Sequence, residues 1–209
     1  QLGEDVGISV EPCRRDTFPA IALATAYLVD VMHVAPSESV VVCPVDPYVE
    51  DGYFEALKEL SEQADKCEAN LVLMGIEPTY PSEKYGYIIP ESGENVSKVK
   101  EFKEKPDVET AKKYLAQSAL WNAGIFVWST RSILSALEGH LPEVYGLFDG
   151  QADRFATPEE QTSVEEIFAR CPSISIDYGV LEQADNVFVR SSDFGWNDVG
   201  TWGSLYELS

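Results

Sequence analysis

Positive charge is scarce in this chain. Lys and Arg number 15 against 36 Asp and Glu, so the formal net charge is −21. Nucleic acids and anionic membrane surfaces are polyanions, and a field of this sign repels them. A nucleotide substrate is still admissible if a divalent cation and a few local Arg or Lys residues overcome the background. Long hydrophobic runs are also missing. The longest, Ser39 to Cys43 and Leu71 to Gly75, are far too short to span a bilayer. The opening Gln1-Leu2-Gly3-Glu4-Asp5 is polar and acidic and does not read as a signal peptide. Cysteine and histidine are few and scattered. Cys13, Cys43, Cys67 and Cys171 form no C-x-x-C pair, and His33 and His140 lie far from them, which argues against a zinc site. Reduced thiols in a cytoplasmic protein are the simpler expectation. No repeat and no low-complexity linker interrupts the chain.

What is present suits a folded domain. The hydrophobic fraction is 44%, enough for a core. Gly7 to Val10 reads as a short strand. Thr17 to Val31 reads as a helix with Thr17 as N-cap and Pro19 in its first turn. Ser39 to Cys43 has the continuous apolar character of a buried parallel strand. Asp51 to Cys67 places Phe54, Leu57, Leu60 and Ala64 on one helical face. Leu71 to Ile76 is a second buried strand. Tyr85 to Ile89, Val96 to Glu104 and Ile125 to Ser129 read as further strands. Val108 to Gln117 reads as a helix started by Pro106 or Asp107. Ile133 to Phe148 and Pro158 to Ala169 are expected helices, Asn186 to Ser191 a late strand, and Thr201 to Leu208 a final helix. This alternation predicts an α/β fold with a mostly parallel mixed sheet flanked by helices, and ligands at the carboxyl ends of its strands.

Candidate chemistry sits at those ends. Asp46 follows the strand Val40-Val41-Val42-Cys43, where a carboxylate can hold Mg²⁺ on a nucleotide. Asp46-Pro47 is equally a turn, and on spacing alone the turn is favoured. Asp198 lies in Gly195-Trp196-Asn197-Asp198-Val199-Gly200, as a metal carboxylate or as a helix cap, the two readings standing level. Glu104-Lys105-Pro106 ends a strand and pairs an acid with a base, suited to a sugar hydroxyl and a phosphate. The cluster of Lys98, Lys100, Glu101 and Lys103 around it favours a merely solvated charge run. Trp121-Asn122-Ala123-Gly124 reads as a loop entering a strand, with Asn as donor and acceptor and Gly allowing close approach, or as an Asn-x-Gly turn. Tyr85-Gly86-Tyr87 is similarly ambiguous. Arg14-Arg15-Asp16-Thr17 precedes a helix N-terminus, a ready anion site or an ordinary cap. Asp177, in Ser173-Ile174-Ser175-Ile176-Asp177-Tyr178, is a further carboxylate in a turn beside short apolar strands.

Taken in order, these segments resemble the mannose-1-phosphate guanylyltransferases. Glu11-Pro12 through Ala22 is similar to E-P-x-x-R-N-T-A-P-A-I-A. Pro44-Val45-Asp46 resembles P-A-D-H, and Lys84 to Ile88 resembles G-Y-G-Y-I. Phe102 to Asp107 resembles F-x-E-K-P-D, and Trp121 to Phe126 resembles W-N-S-G-M-F. Cys171 to Tyr178 is similar to C-P-S-I-S-I-D-Y, and Gly195 to Gly200 to G-W-S-D-V-G. The matches cover nearly the whole chain. The resemblance implies a Rossmann-like nucleotidyltransferase fold and transfer of GMP from GTP to α-D-mannose 1-phosphate. It further implies Mg²⁺ on Asp46 and Asp198. Mannose would lie on Gly86, Glu104, Asn122, Gly124 and Asp177, with Lys105 facing the sugar phosphate. Arg15, Asp16 and Thr17 would lie near the base. A homodimer is left open. A second class of reading is a non-catalytic, sugar-nucleotide-binding regulatory relative. Another sugar-1-phosphate nucleotidyltransferase is the alternative within the same class.

Departures accompany the matches. Asp16 stands where the family has Asn, and its carboxylate can still accept from guanine N1–H and N2–H₂. Pro47 replaces a His. Phe18 replaces a small residue and is expected to reshape the base pocket. The family's Gly-rich phosphate loop, G-G-x-G-T-R-L-W-P, and its first strand have no counterpart here. The chain is therefore expected to be one nucleotidyltransferase domain over residues 1–209, truncated at its N-terminus and inactive alone. The sugar and metal portion is expected at roughly 77–209. A sheet without its first strand carries a risk of swapping or aggregation.

Overall fold

The computed structural model describes residues 6–66, 69–199 and 206. The chain divides into two compact units, Gln1–Glu38 with Ile133–Gln183, and Ser39–Ser132 with Ala184–Ser209.

The first unit is helical. Helix α1 (Thr17–Ala26) runs on into a wide π-helical turn, Tyr27–Val31. Its N-cap is Asp16 rather than Thr17, because the Asp16 carboxylate accepts from the backbone N–H of Thr17. The single helix expected over Ile133 to Phe148 is two, α4 (Thr130–His140) and α5 (Pro142–Phe148). Pro142 is the cause: it disfavours helical backbone at Leu141, which sits at φ −137° and ψ 61°, and it opens the next helix at its first turn. Helix α6 (Glu160–Arg170) and a π-helical turn at Asp177–Leu181 complete the unit. Phe18, Leu23, Ile133, Val144 and Phe168 are fully or almost fully buried in it. Phe148 meets Phe168 edge to face at 6.4 Å. Phe18 is 0% exposed, so it is a core residue, not the wall of an open pocket.

The second unit is a six-stranded sheet with helices packed on it. Its strands are β1 (Ser39–Val42), β2 (Leu71–Ile76), β3 (Tyr87–Pro90), β4 (Val96–Lys103), β5 (Leu120–Ser129) and β6 (Val187–Ser192). The order is β1-β5-β2-β6-β4-β3, with β3 also pairing β5. The α/β class and the mixed sheet are as expected, but the sheet is not mostly parallel. Only β2 and β6 run parallel; β1–β5, β2–β5, β3–β4, β3–β5 and β4–β6 are antiparallel. The physical reason lies in the connections. A short turn between Pro90 and Val96 leaves no room for a crossover, so β3 and β4 form a hairpin. Strand β5 then inserts between β1 and β2 and opposes both.

Strand β2 is buried along its whole length, as its apolar run predicts. Strand β1 is not the buried parallel strand expected: among the described residues it pairs β5 alone, and Val41 is 38% exposed. Gly7 to Val10 forms no strand, and Ile8 and Val10 are exposed, since no described strand offers them a hydrogen-bonding partner. Helices α2 (Gly52–Lys66) and α3 (Val108–Leu115) cover one face of the sheet. Tyr53, Ala56, Leu60, Ala111 and Tyr114 pack there against Val72, Met74, Tyr87, Trp121, Ile125 and Val127. Asp107, of the two residues the sequence offers, caps α3 by accepting from Thr110 N at 2.8 Å. The helix expected at Thr201 to Leu208 lies largely outside the described residues, as does Cys67; Cys13, Cys43 and Cys171 are unpaired thiols.

Candidate functional site

Register brings the ends of the strands of the second unit to one edge. Val42, closing β1, faces Phe126. Ile76, closing β2, pairs both Trp121 near the start of β5 and Ser192 at the end of β6. Tyr87, opening β3, pairs Trp121 and Lys103. The segments carrying Asp46, Gly86, Glu104, Lys105, Asn122, Gly124 and Asp198 all start or finish at that edge.

Gly86, Glu104, Lys105 and Asn122 form one constellation. The Asn122 N–H donates to Gly86 O at 2.8 Å. Asn122 and Gly124 lie within β5 rather than in a loop, because the strand starts at Leu120 with β2 and β3 pairing it there. The Asn122 side-chain oxygen accepts from Gly124 N at 3.1 Å, and Gly124 itself sits at φ +69°. Gly86 is buried under Glu104: a β-carbon placed on it would lie 2.5 Å from Glu104 Oε2 and 3.3 Å from Asn122 Cβ. A side chain here would displace the Glu104 carboxylate, so glycine is what lets the two lie so close. Glu104 is 8% exposed, so it is not part of a solvated charge run, although Lys98, Lys100, Glu101 and Lys103 around it are exposed. Its Oε1 is 2.8 Å from Lys105 Nζ. A carboxylate taken that far out of water is retained only with partners. Lys105 adopts φ 43°, a left-handed backbone that turns the chain sharply after β4.

The two remaining carboxylates sit on loops zipped together. Tyr48 N donates to Asn197 O at 2.8 Å and Asn197 N to Tyr48 O at 3.0 Å. Glu50 N donates to Phe194 O at 3.1 Å. This bridge ties the Asp46 loop to the Asp198 loop. Val199 takes φ 51°, an outlier for a β-branched residue, and its N–H donates to Asn197 Oδ1 at 2.9 Å. Asp46 is exposed. The Tyr85 hydroxyl donates to the Asp198 carboxylate, and burial together with that negative charge drives the Tyr85 phenol well above its ordinary pKa. Tyr85 belongs to an aromatic group: its ring centroid is 4.8 Å from Trp121 and 5.5 Å from Trp196, and Tyr80 is 5.0 Å from Trp121. The indole N–H groups of Trp121 and Trp196 are buried without an acceptor. The sequence singles out the Tyr85-Gly86 and Trp121-Asn122 pairs but not the tyrosine's tie to Asp198; no local signal marks Tyr80.

The donor set can be tested against Mg²⁺. Asp46 and Asp198 supply hard oxygen ligands on bridged loops. Among the described residues no three His, Cys, Asp or Glu side chains group into a metal cage. Mg²⁺ prefers that kind of site, one or two carboxylates completed by phosphate oxygens. Asp46 and Asp198 are donors of the type Mg²⁺ takes.

The first unit holds the other candidates, and here the structure uses them differently. Arg15 Nε donates to Phe168 O at 2.9 Å, and Arg15 O accepts from Ile174 N at 3.1 Å. Thr17 Oγ1 accepts from Ile176 N at 2.9 Å, and Phe18 N donates to Ile174 O at 3.2 Å. The start of α1 is thus laced to the segment leading into Asp177, which begins the second π-helical turn. Asp16 stands apart: it is exposed, at φ 70° and ψ −175°. That region is almost exclusive to glycine. Cys171 is buried, and burial pushes its thiol up to about 11 against the lowering influence of nearby Arg15.

The strand edge thus holds two carboxylates on bridged loops and a buried acid paired to a lysine. The sequence matches the nucleotidyl transferase family over residues 1–209, and the chain belongs to that family. It is similar to the mannose-1-phosphate guanylyltransferase of Escherichia coli, 32% identical over 216 residues spanning 98% of this chain and 46% of the relative. A putative mannose-1-phosphate guanylyltransferase of Vibrio cholerae is 35% identical over 218 residues, spanning 100% of this chain and 45% of the relative. The crystal structure of a mannose-1-phosphate geranyltransferase from Thermus thermophilus superposes with a TM-score of 0.84 at 34% identity, over 96% of this chain and 57% of that one. The fold is the Rossmann-like nucleotidyltransferase type. The chain spans about half the length of the relatives it matches.

Proposed function

We propose that the protein containing this chain transfers GMP from GTP to α-D-mannose 1-phosphate, releasing pyrophosphate and GDP-mannose. The observation that carries this reading is the constellation at the strand edge, where buried Gly86 and Glu104 meet half-buried Asn122 and exposed Lys105, and the glycine leaves room for the Glu104 carboxylate. Its chemistry suits a polyol phosphate. Glu104 and Asn122 offer acceptors and a donor for sugar hydroxyls, and Lys105 offers a cation for the phosphate. The names of the relatives support mannose 1-phosphate and a guanine nucleotide as the pair.

The step is an in-line displacement. A phosphate oxygen of the sugar phosphate forms a bond to the α-phosphorus of GTP, and the bond from that phosphorus to the β-phosphate bridging oxygen breaks. The electron pair leaves with pyrophosphate. No covalent enzyme intermediate is needed, so the protein's part is positioning and charge neutralisation. Glu104 and Asn122 orient the sugar ring, and Gly86 lets it approach the backbone. Lys105 holds the attacking phosphate, and its ion pair with Glu104 keeps the two groups in fixed relation. Asp46 and Asp198 would hold Mg²⁺, which when bound offsets the charge of the phosphates. Asp177 is proposed on the mannose side, and Asp16 as the acceptor for the donor edge of guanine. A reaction that draws on GTP suits the cytoplasm.

The test is pyrophosphate release by the full protein. Guanine and mannose specificity are expected: GTP with mannose 1-phosphate turns over, while ATP or UTP, and glucose 1-phosphate, do so at least 10-fold less well. Preference for another pair transfers the assignment to a different sugar-1-phosphate nucleotidyltransferase. Tight GDP-mannose binding with no turnover favours the regulatory relative.

A further inference from the structure

The assigned residues leave Tyr85 without a role, yet it is among the most constrained side chains at the strand edge. Its ring is wedged between Trp121 at 4.8 Å and Trp196 at 5.5 Å, and its hydroxyl meets both the Asp198 carboxylate and the Tyr80 hydroxyl. Packing alone asks only for the ring. A half-buried phenol also favours an acceptor, and this one has taken the carboxylate of a proposed metal ligand. Meanwhile the backbone of the Asp198 loop is already fixed. Asn197 is bridged to Tyr48, and Val199 N is bonded to Asn197 Oδ1. The Tyr85 hydroxyl, bonded to the Asp198 carboxylate, is placed to limit rotation of that side chain on the fixed backbone. Gly86, the next residue, lies under Glu104 and Asn122. One dipeptide therefore braces the metal-side carboxylate with its tyrosine and floors the sugar-side constellation with its glycine.

We propose that Tyr85 is a positioning residue that locks the Asp198 carboxylate in the orientation in which one oxygen is held by the phenol and the other faces a divalent cation. The proposal rests on the reading of Asp198 as a metal ligand. A carboxylate held by a second hydrogen bond arrives at the ion without having to be ordered, and partners of this kind change metal affinity about 10- to 100-fold.

Mn²⁺ is the probe, titrated by electron paramagnetic resonance into the full protein with GDP-mannose present. Tyr85→Phe keeps the ring and its contacts, and circular dichroism checks that the fold is retained. The expected result is Mn²⁺ affinity weakened about 10-fold by Tyr85→Phe. In an Asp198→Asn background the same substitution is expected to change affinity less than twofold, because the tyrosine acts through the carboxylate. Affinity within twofold of the unsubstituted protein overturns the proposal. So does an equal loss in both backgrounds, which is the signature of a merely structural tyrosine, and so does absence of protein-bound Mn²⁺ from the start. Pyrophosphate release is scored separately. A protein that shows the coupled Mn²⁺ effect but never joins GTP to mannose 1-phosphate loses the functional reading and keeps Tyr85 as the brace of Asp198.

Discussion

Two segments resemble the same family and use their side chains in opposite ways. At the strand edge of the second unit, Glu104, Lys105 and Asn122 are polar groups held by one another and by a glycine backbone. In the first unit, Arg15 and Thr17 are spent on backbone partners: Phe168 O for the arginine and Ile176 N for the threonine. A residue type in a motif therefore does not reveal whether it serves a ligand or the fold. What it is bonded to separates the two cases: backbone of its own unit for Arg15 and Thr17, a neighbouring polar side chain for Glu104 and Lys105. Arg15 and Thr17 lace α1 to the Asp177 segment, while the neighbouring Asp16 is left exposed on strained backbone between them.

The largest effect is expected where that difference is sharpest. In Gly86→Ala the new methyl would sit 2.5 Å from Glu104 Oε2, 3.1 Å from Phe102 and 3.3 Å from Asn122 Cβ. Glu104 must yield, since it carries the nearest atom and the strand cannot. A shift of that size in an orienting group costs about 100-fold in kcat/KM for mannose 1-phosphate. Steady-state kinetics at saturating GTP checks this, with the KM for GTP expected within threefold of the unsubstituted value. An equal fall for both substrates would erase the distinction between a sugar constellation and general disruption.

Arg15→Ala probes the other side of the comparison. The guanidinium donates to a buried helix end, and removing a charged donor from such a carbonyl costs about 2 kcal/mol. Urea unfolding is expected to show that loss. GTP affinity, read by calorimetry, is expected to change less than threefold, although the resemblance sets Arg15 near the base. A large affinity loss with intact stability would make Arg15 a ligand group after all.

The fold was legible where local pattern decides it. The all-apolar Leu71 to Ile76 stands where the sequence puts it, the cap of α3 is Asp107, one of the two residues the sequence offers, and α2 falls within one residue of its expected bounds. Legibility failed where distant partners decide. Asn122 and Gly124 are poor strand formers, yet pairing from β2 and β3 on either side extends β5 back through them. The apolar run of β1 is the same whether its neighbour is parallel or antiparallel, so composition could not expose the reversed direction of β5. The carboxylate site shows the same division. Asp46 and Asp198 were readable as acids in glycine- or proline-marked turns. The bridge from Tyr48 to Asn197, which joins their loops, links residues far apart in sequence and has no local trace. Glu104 reads as one more charge in a run until burial separates it from the rest.

The smallest effect, and the one that tests the comparison most finely, lies at Asp16. Its φ of 70° and ψ of −175° place a side-chain-bearing residue where glycine is at home. Arg15 and Thr17 on either side are pinned, so the backbone between them cannot relax. Asp16→Gly removes the conflict between Cβ and backbone, and it also removes the cap to Thr17 N, which replacement by glycine costs only a few tenths of a kcal/mol. The net is expected to be a gain of about 1 kcal/mol in stability, seen as a rise of about 2–4 °C in Tm. Function is expected to move the other way, with the preference for GTP over ATP reduced because the acceptor for the guanine edge is gone. Asp16→Asn keeps the strain and one acceptor oxygen, so it is expected to leave Tm within about 1 °C and to weaken that preference less than Asp16→Gly does. If both variants keep the nucleotide preference intact, Asp16 has no part in reading the base. If Asp16→Gly lowers Tm, the strain is repaid by contacts that the exposed carboxylate makes in the folded unit, and Asp16 joins Arg15 and Thr17 on the structural side.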